Sequence, residues 1–379
     1  MNKTGPRIGL VYLNRKAEGD APVRRFIESY KKHDSGIRHE FITIYKGFDS
    51  GEKDAAALLF HGIEHRRVDV DDGMTDIDSY LIAADCFADV DVFCFLNTFS
   101  EIACDNWLAI LFNALAGENV GIAGATASYE SLLDSCRLVS KVIWLCDNGF
   151  LKYDTEIHLQ YKTVIDKQVP RWAGKNTAFR LFSKFSRKAP KHASLDRYDD
   201  MFENFWESLT GPDGVYHFLK TYPPFPNPHI RSNGFIVKRT RLTPFLGERG
   251  RMSKKDSYLF ESGSEGLTRR VLDNHLRAVV VNNRGEVFDV GDWLRSGTFR
   301  LDSQQGLLIH DNQTRNFQSF NPAEQRVYTR MTWGDSSERN RGHVCTFGIP
   351  FELAGSQILK RGVKYESNHF SGRFGDAHQ

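Results

Sequence analysis

No apolar run in this 379-residue sequence approaches the roughly 18 residues needed to span a bilayer. The most apolar strip, Val90 to Leu96, is interrupted by Asp91 and has the length of a buried strand. The opening segment, Met1-Asn2-Lys3-Thr4-Gly5-Pro6, lacks the apolar core of a signal peptide and leads directly into strand-like sequence. Cysteine is sparse: Cys86, Cys94, Cys104, Cys136, Cys146 and Cys345 are scattered without a C-x-x-C pair. A chain of this length buries a core without staples, so the cysteines are read as free thiols in a reducing, cytoplasmic compartment. Neither sign of charge dominates, since 50 Lys and Arg face 48 Asp and Glu for a formal net charge of +2. Bulk charge therefore argues against non-specific nucleic-acid binding while leaving a local basic patch open, and no nucleic-acid partner is expected.

Standard catalytic motifs are also missing. There is no G-x-x-x-x-G-K-[ST], no G-x-S-x-G and no H-E-x-x-H. Gly117, Gly121 and Gly124 lie near a strand but do not open a strand-to-helix turn, which removes the dinucleotide fingerprint. Thirteen histidines are dispersed without metal-site spacing.

What is present is ordinary globular composition, 40% hydrophobic and 26% charged. The length suits two or three domains, or one large α/β domain with an insertion. Over the first 150 residues strand and helix signals alternate. Strands are predicted at Arg7 to Leu13, Phe41 to Tyr45, Arg67 to Val70, Val90 to Leu96 and Val120 to Ala123. Helices are predicted at Pro22 to Lys32, Asp54 to Ile63, Asp76 to Phe87 and Asp105 to Leu115. That alternation indicates βαβ units and a mainly parallel sheet.

Residues 167 to 195 contain no acidic side chain. There Phe179, Phe182 and Phe185 share one side of a helical wheel, and Arg180, Lys184, Arg187 and Lys191 share another. Two readings stand: peripheral contact with an anionic membrane surface through 167–191, or a solvated helix packing its phenylalanines on the core. Tyr222-Pro223-Pro224-Phe225-Pro226-Asn227-Pro228 must be an extended loop, and it delivers the chain to a strand at Phe235 to Val237. Four segments are therefore expected: an α/β half (1–150), a basic, mostly helical insertion (151–222), a second half (223–330) and a tail rich in Gly, Ser, Arg and His (331–379).

One series of segments is familiar as a whole. Asp71-Asp72-Gly73-Met74-Thr75-Asp76 is followed by a helix, then by a strand ending Leu96-Asn97-Thr98-Phe99-Ser100, then by Trp107-Leu108 and by Val120 to Thr126. Pro228 to Phe235, Phe260-Glu261-Ser262-Gly263 and Leu308 to Thr314 complete it. The order resembles GT-A-fold glycosyltransferases, particularly bacterial family-two-like enzymes of surface polysaccharide synthesis, over roughly residues 5 to 320. The resemblance implies a GT-A-like, Rossmann-like sheet with a helical insertion. It also implies transfer of a sugar from a nucleotide-sugar donor to a glycan or lipid-linked acceptor at the inner face of a membrane.

Most such enzymes neutralise the departing diphosphate with a divalent cation, Mn²⁺ or Mg²⁺, held by Asp-x-Asp at the end of a central strand. Here that strand ends in Asn97-Thr98-Phe99, so the expected carboxylates are missing. Glu101 and Asp311 are the weak substitutes, and nothing in the sequence places them together. Asp72 and Asp76 are read as donor contacts, with an acidic turn capping the next helix as the alternative. Asn97 and Ser100, where a parallel strand ends, are read as ribose or phosphate contacts; Ser100 as a helix cap is the alternative.

An inverting transfer needs a general base. Glu261 is the first candidate, placed ahead of a helix, and Asp256 the second. His229, Arg231 and Asn233 are candidate acceptor or phosphate contacts, and an Arg231 paired with a surface acid competes with the clamp reading. Trp293 is either a sugar-stacking platform or a core tryptophan. His310 is either a ligand or a satisfied loop residue. Two rival functions remain: a GT-A-like protein without catalysis that binds glycan or assembles with partners, and a sugar nucleotidyltransferase. The latter is disfavoured because Leu13 to Gly19 is poor in glycine.

Overall fold

The computed structural model describes residues 5–137, 140, 195–214, 216–250 and 252–334. The basic stretch 167–191 and nearly all of the tail after 331 lie outside the described residues.

The chain divides into two compact units. The first joins residues 1–128 to 228–319 and the second joins 129–227 to 320–379. Residues 1–128 and 228–319 come together because their strands share one sheet. In the first unit the elements run β1 (Ile8–Arg15), α1 (Asp20–Lys32), β2 (Glu40–Lys46), α2 (Ser50–Leu58), β3 (Arg66–Val70), α3 (Asp76–Cys86) and β4 (Val92–Leu96). Then come β5 (Glu101–Ile102), α4 (Trp107–Leu115), β6 (Val120–Gly124) and β7 (Ala127–Ser128). In the second unit α5 (Leu195–Thr210) follows, and the chain re-enters the first with β8 (His229–Ile230) and β9 (Phe235–Lys238). The first unit ends with α6 (Lys254–Ser262), α7 (Leu267–Asp273), β10 (Arg277–Val281), β11 (Val287–Phe288), β12 (Ile309–His310) and α8 (Asn312–Ser319).

Eight strands make one sheet in the order β11-β10-β6-β9-β4-β1-β2-β3. β1, β2, β3 and β4 are parallel neighbours, as are β6 and β10. β9 runs antiparallel between β4 and β6, with Phe235 opposite both Phe95 and Gly124. The expected α/β architecture, a mainly parallel sheet flanked by helices, is what the chain adopts. Central strands read as continuous apolar runs because both faces are covered. The edge strand β3, Arg66-Arg67-Val68-Asp69-Val70, alternates in exposure and carries the charges that blunt an open edge.

On one face Leu10, Tyr12, Phe41 and Tyr45 pack with Phe26 of α1, Phe60, and Trp107 and Leu111 of α4. The Tyr12 and Phe26 rings stack at 3.9 Å. On the other face Tyr80 of α3 meets Phe95 at 4.8 Å and Phe235 at 6.4 Å between ring centroids. Helix starts follow local chemistry: Asp49 and Glu52 form a capping box for α2, Thr75 caps α3, and Ser253 with Asp256 forms a capping box for α6. α2 stops at Leu58 rather than near Ile63, because the chain turns through i→i+3 bonds and a left-handed Gly62.

In the second unit Phe202, Trp206 and Leu219 form a small core. α9 (Pro322–Trp333) belongs to the same unit, and its Thr332 carbonyl accepts from the Tyr129 amide at 2.9 Å. Asp134 is buried there and accepts from the Phe225 amide; burial raises its carboxyl above the ordinary range. No helix among the described residues is long and apolar enough to cross a membrane.

Candidate functional site

Ligands of open α/β sheets collect at the carboxyl ends of the parallel strands. Two of those ends carry cations that the sequence reading passed over. Arg15, the last residue of β1, makes a bidentate pair with Asp72, at 2.7 and 3.1 Å. Lys46, the last residue of β2, is almost fully buried and donates to Asp76 at 3.0 Å. A basic residue closing a parallel strand was the available signal. Asp72 and Asp76 thus lie together at this edge, each held by a cation, while the cap of α3 is Thr75. Neighbouring Asn14 is buried, and its Nδ2 has no hydrogen-bond partner among the described residues.

At the end of β4 the polar candidates converge. Asn233 accepts from the Asn97 amide at 2.8 Å and from the Ser100 hydroxyl at 2.9 Å, both on Oδ1. Its Nδ2 lies 3.5 Å from Asp311 Oδ2. Asn97 Oδ1 in turn accepts from the Phe99 amide at 2.9 Å, an Asx turn that bends the loop. Ser100 therefore caps no helix: α4 begins only at Trp107, after a left-handed Asn106. The turn that presents Asn233 depends on Gly234, whose φ is +67° and whose added Cβ would lie 3.1 Å from Ile309 Cδ1 and 3.2 Å from Ala125 Cβ. A side chain there is strained on both counts.

Arg231 and Glu261 form a buried pair at 2.9 Å, and the second Glu261 oxygen accepts from the Ser232 amide at 2.7 Å. This pair lines a small cleft with Ser232, Thr268, Phe235 and Phe260. Burial alone would raise the Glu261 carboxyl. Arg231, His229 and the Ser232 donors outweigh it and hold the carboxyl below its ordinary range. Both oxygens are committed, which makes Glu261 a weak base.

Glu261 also differs from expectation in position. It sits in the last turn of α6 rather than at the N-terminus of a helix, because the Ser253–Asp256 box starts that helix at Lys254. There the helix dipole disfavours a carboxylate, and Arg231 supplies the compensation. The partner of Arg231 is accordingly a buried acid, not a surface one. Its guanidinium also lies 5.0 Å from the Phe299 ring, which Arg300 approaches at 4.7 Å.

The remaining candidates are placed less favourably for chemistry. Asp256 faces solvent and caps its own helix, accepting from the Ser253 amide and hydroxyl at 2.8 and 2.6 Å. Trp293 is completely buried and packs as a core tryptophan, so it offers no face to a sugar. His229 is buried in β8 beside the Glu261 pair. His310 pairs in register with Glu101 through β12 and β5, and burial lowers its basicity.

The donor set does not suit a hard divalent cation. The end of β4 offers amide, hydroxyl and aromatic groups where carboxylates would be needed. Glu101 is bound by Arg315 at 3.0 Å. Asp311 accepts from the Thr314 amide at 2.8 Å, capping α8. Among the described residues no group of three His, Cys, Asp or Glu is placed to hold a metal ion.

No protein-family profile matches the sequence, and no curated protein matches it. Solved structures with a similar backbone include the crystal structure of GalNAc-T7 with UDP, GalNAc and Mn²⁺. It is 16% identical over 32% of this chain and 23% of that one, with a TM-score of 0.26. Another is the mannosyltransferase PcManGT from Pyrobaculum calidifontis in complex with GDP-Man and Mn²⁺. It is 13% identical over 32% of this chain and 36% of that one, with a TM-score of 0.25. The likeness thus covers about a third of this chain and no more than about a third of either solved chain.

Proposed function

We propose that this chain is a nucleotide-sugar-dependent glycosyltransferase that moves a hexosyl group onto a glycan or lipid-linked acceptor in polysaccharide synthesis. One observation carries the reading. Asn97, Ser100, Asn233 and Asp311 form a single polar network at the carboxyl edge of the mainly parallel sheet. In the transfer the sugar C1–O bond breaks with its electron pair on the departing diphosphate. The acceptor oxygen bonds to C1, and its proton passes to a base.

Asp72 and Asp76, with Arg15 and Lys46, face the nucleoside end, and Asn97 and Ser100 face the diphosphate and ribose. His229, Arg231 and Asn233 belong to the acceptor side. Glu261 positions Arg231 and Ser232. The proton goes to Asp311, whose Oδ2 has, among the described residues, a single long contact from Asn233. The reading keeps a cytoplasmic location and a contact with anionic membrane through 167–191; both rest on the sequence pattern alone.

A thermal melt against nucleoside diphosphates and nucleotide-sugars, in Mn²⁺, Mg²⁺ or EDTA, tests the donor half. A ligand at about 100 times its Kd stabilises by about 2.7 kcal/mol, which raises Tm by several degrees. Asp311→Asn is expected to keep that shift while sugar transfer or donor hydrolysis drops about a hundredfold. A flat panel at millimolar ligand would sink the enzyme reading.

A second reading is favoured by the commitment of Glu261 and the missing carboxylates at β4: a GT-A-like protein that binds glycan or a partner without catalysis. It gives nucleotide binding without turnover, or none at all.

A further inference from the structure

We propose that Arg315, with Arg25 beside it, is a built-in diphosphate site that takes the place of a divalent cation. The inference rests on the nucleotide-sugar reading for the identity of the donor, but its geometry stands apart from that reading. Asn97-Thr98-Phe99 occupies the strand end where metal-holding carboxylates would sit. A guanidinium is fixed on that same loop: Arg315 Nη2 donates to the Phe99 carbonyl at 2.9 Å. Its Nη1 donates to Glu101 Oε2 at 3.0 Å. Arg25, projecting from α1, approaches the same carboxylate oxygen at 3.9 Å.

Three features make this an anion site rather than a finished salt bridge. A guanidinium has five N–H donors, and two of those on Arg315 are used among the described residues, so three remain for phosphate oxygens. Among the described residues Arg25 contributes only a long ionic contact, and it remains 45% exposed. Arg315 is half-buried and faces a second cation, so burial and Arg25 both work against its charge, and an arriving anion relieves that cost. Planar forks of this kind match phosphate oxygens bidentately. When the C1–O bond breaks, the electron pair and new negative charge settle on the terminal phosphate oxygen. A guanidinium already in place stabilises that charge without reorganisation.

The experiment uses the full chain and three probes: inorganic pyrophosphate, UDP and GDP. Titration calorimetry in EDTA is expected to show pyrophosphate and at least one nucleoside diphosphate binding. Arg315→Gln should weaken each by about tenfold or more, and Arg315→Lys, which keeps the charge but loses the fork, by about fivefold. Arg25→Gln, at an exposed position that leaves folding intact, should weaken each by about threefold. The bare nucleoside should change by less than about twofold, which separates phosphate contact from loss of structure. In parallel, electron paramagnetic resonance with Mn²⁺ and protein alone should find no stoichiometric site tighter than about 1 mM.

Three results would overturn the inference: pyrophosphate that does not bind the wild type, nucleotide binding that requires Mn²⁺, or a stoichiometric Mn²⁺ site lost in Asp311→Asn. Arg315-dependent pyrophosphate binding with no nucleotide binding would keep the anion site and refute the nucleotide-sugar reading.

Discussion

Replacing Glu261 by Gln is expected to destabilise the protein by about 3–5 kcal/mol, because it removes the carboxylate that neutralises the largely buried Arg231 guanidinium. The Glu261 and Arg231 side chains are 9% and 18% exposed and pair at 2.9 Å, so water cannot replace the lost charge. Glutamine can still accept from the Ser232 amide, which isolates the charge from the hydrogen bond. Replacing both partners, Arg231→Met with Glu261→Leu, should recover much of the loss, since a well-packed apolar pair removes both desolvation costs. Urea unfolding of the three proteins checks this.

The pH dependence has a definite sign. Glu261 is held below its ordinary value of about 4.5 in the folded state. Its contribution is therefore complete above that value and fades as pH falls through the lower folded-state value. The gap between wild type and Glu261→Gln should close over that acidic interval and stay constant from there up to neutral pH. A gap that widened on acidification would refute the assignment of an ionised Glu261.

Much of this fold was legible because its signals are local. The strand at Val92–Leu96 is a short, wholly apolar run, and α3 is announced by Thr75 followed by Asp76 and Asp78 in the first turn. What escaped the sequence depends on pairing across long separations. Nothing in Phe235–Lys238 says that it runs antiparallel between β4 and β6, more than a hundred residues earlier. That one insertion is why residues 228–319 join residues 1–128 in a single unit.

The site shows the same limit. Asn97, Ser100 and Asn233 were readable as polar residues at strand ends, but their mutual bonds were not. Glu261 reads as preceding a helix from its neighbours alone, whereas the Ser253-x-x-Asp256 cap starts a helix earlier in the chain and so places it at a helix end. Arg315 left no trace, since its importance comes from Phe99 and Glu101, more than two hundred residues away.

The second large effect is expected at Asn233, which is 9% exposed and bridges the loop after β4 to the start of β9. Asn233→Ala removes the acceptor of the Asn97 amide and the Ser100 hydroxyl. The hydroxyl can turn to Asn97 Oδ1, already 3.2 Å away, whereas the amide has no such recourse. One stranded buried donor costs about 1–3 kcal/mol, so the net destabilisation should be about 2 kcal/mol. Freed from Asn233, the 97–101 loop should also be displaced from its proposed phosphate contact, weakening UDP or GDP binding about tenfold.

Asn233→Asp separates geometry from charge. It keeps Oδ1 for both donors but sets a second carboxylate oxygen against Asp311 Oδ2, where Asn233 Nδ2 now lies at 3.5 Å. Two carboxylates that close cannot both stay ionised cheaply, and one is pushed up in pKa. A raised folded-state value means the penalty is full at neutral pH and disappears as pH falls through it. The Asp variant should thus be weaker than wild type at pH 7 and approach it on acidification, while the Ala variant stays weak throughout. If the Asp variant tracked wild type at every pH, Asn233 and Asp311 would not be neighbours, and the network that carries the functional reading would fall with them.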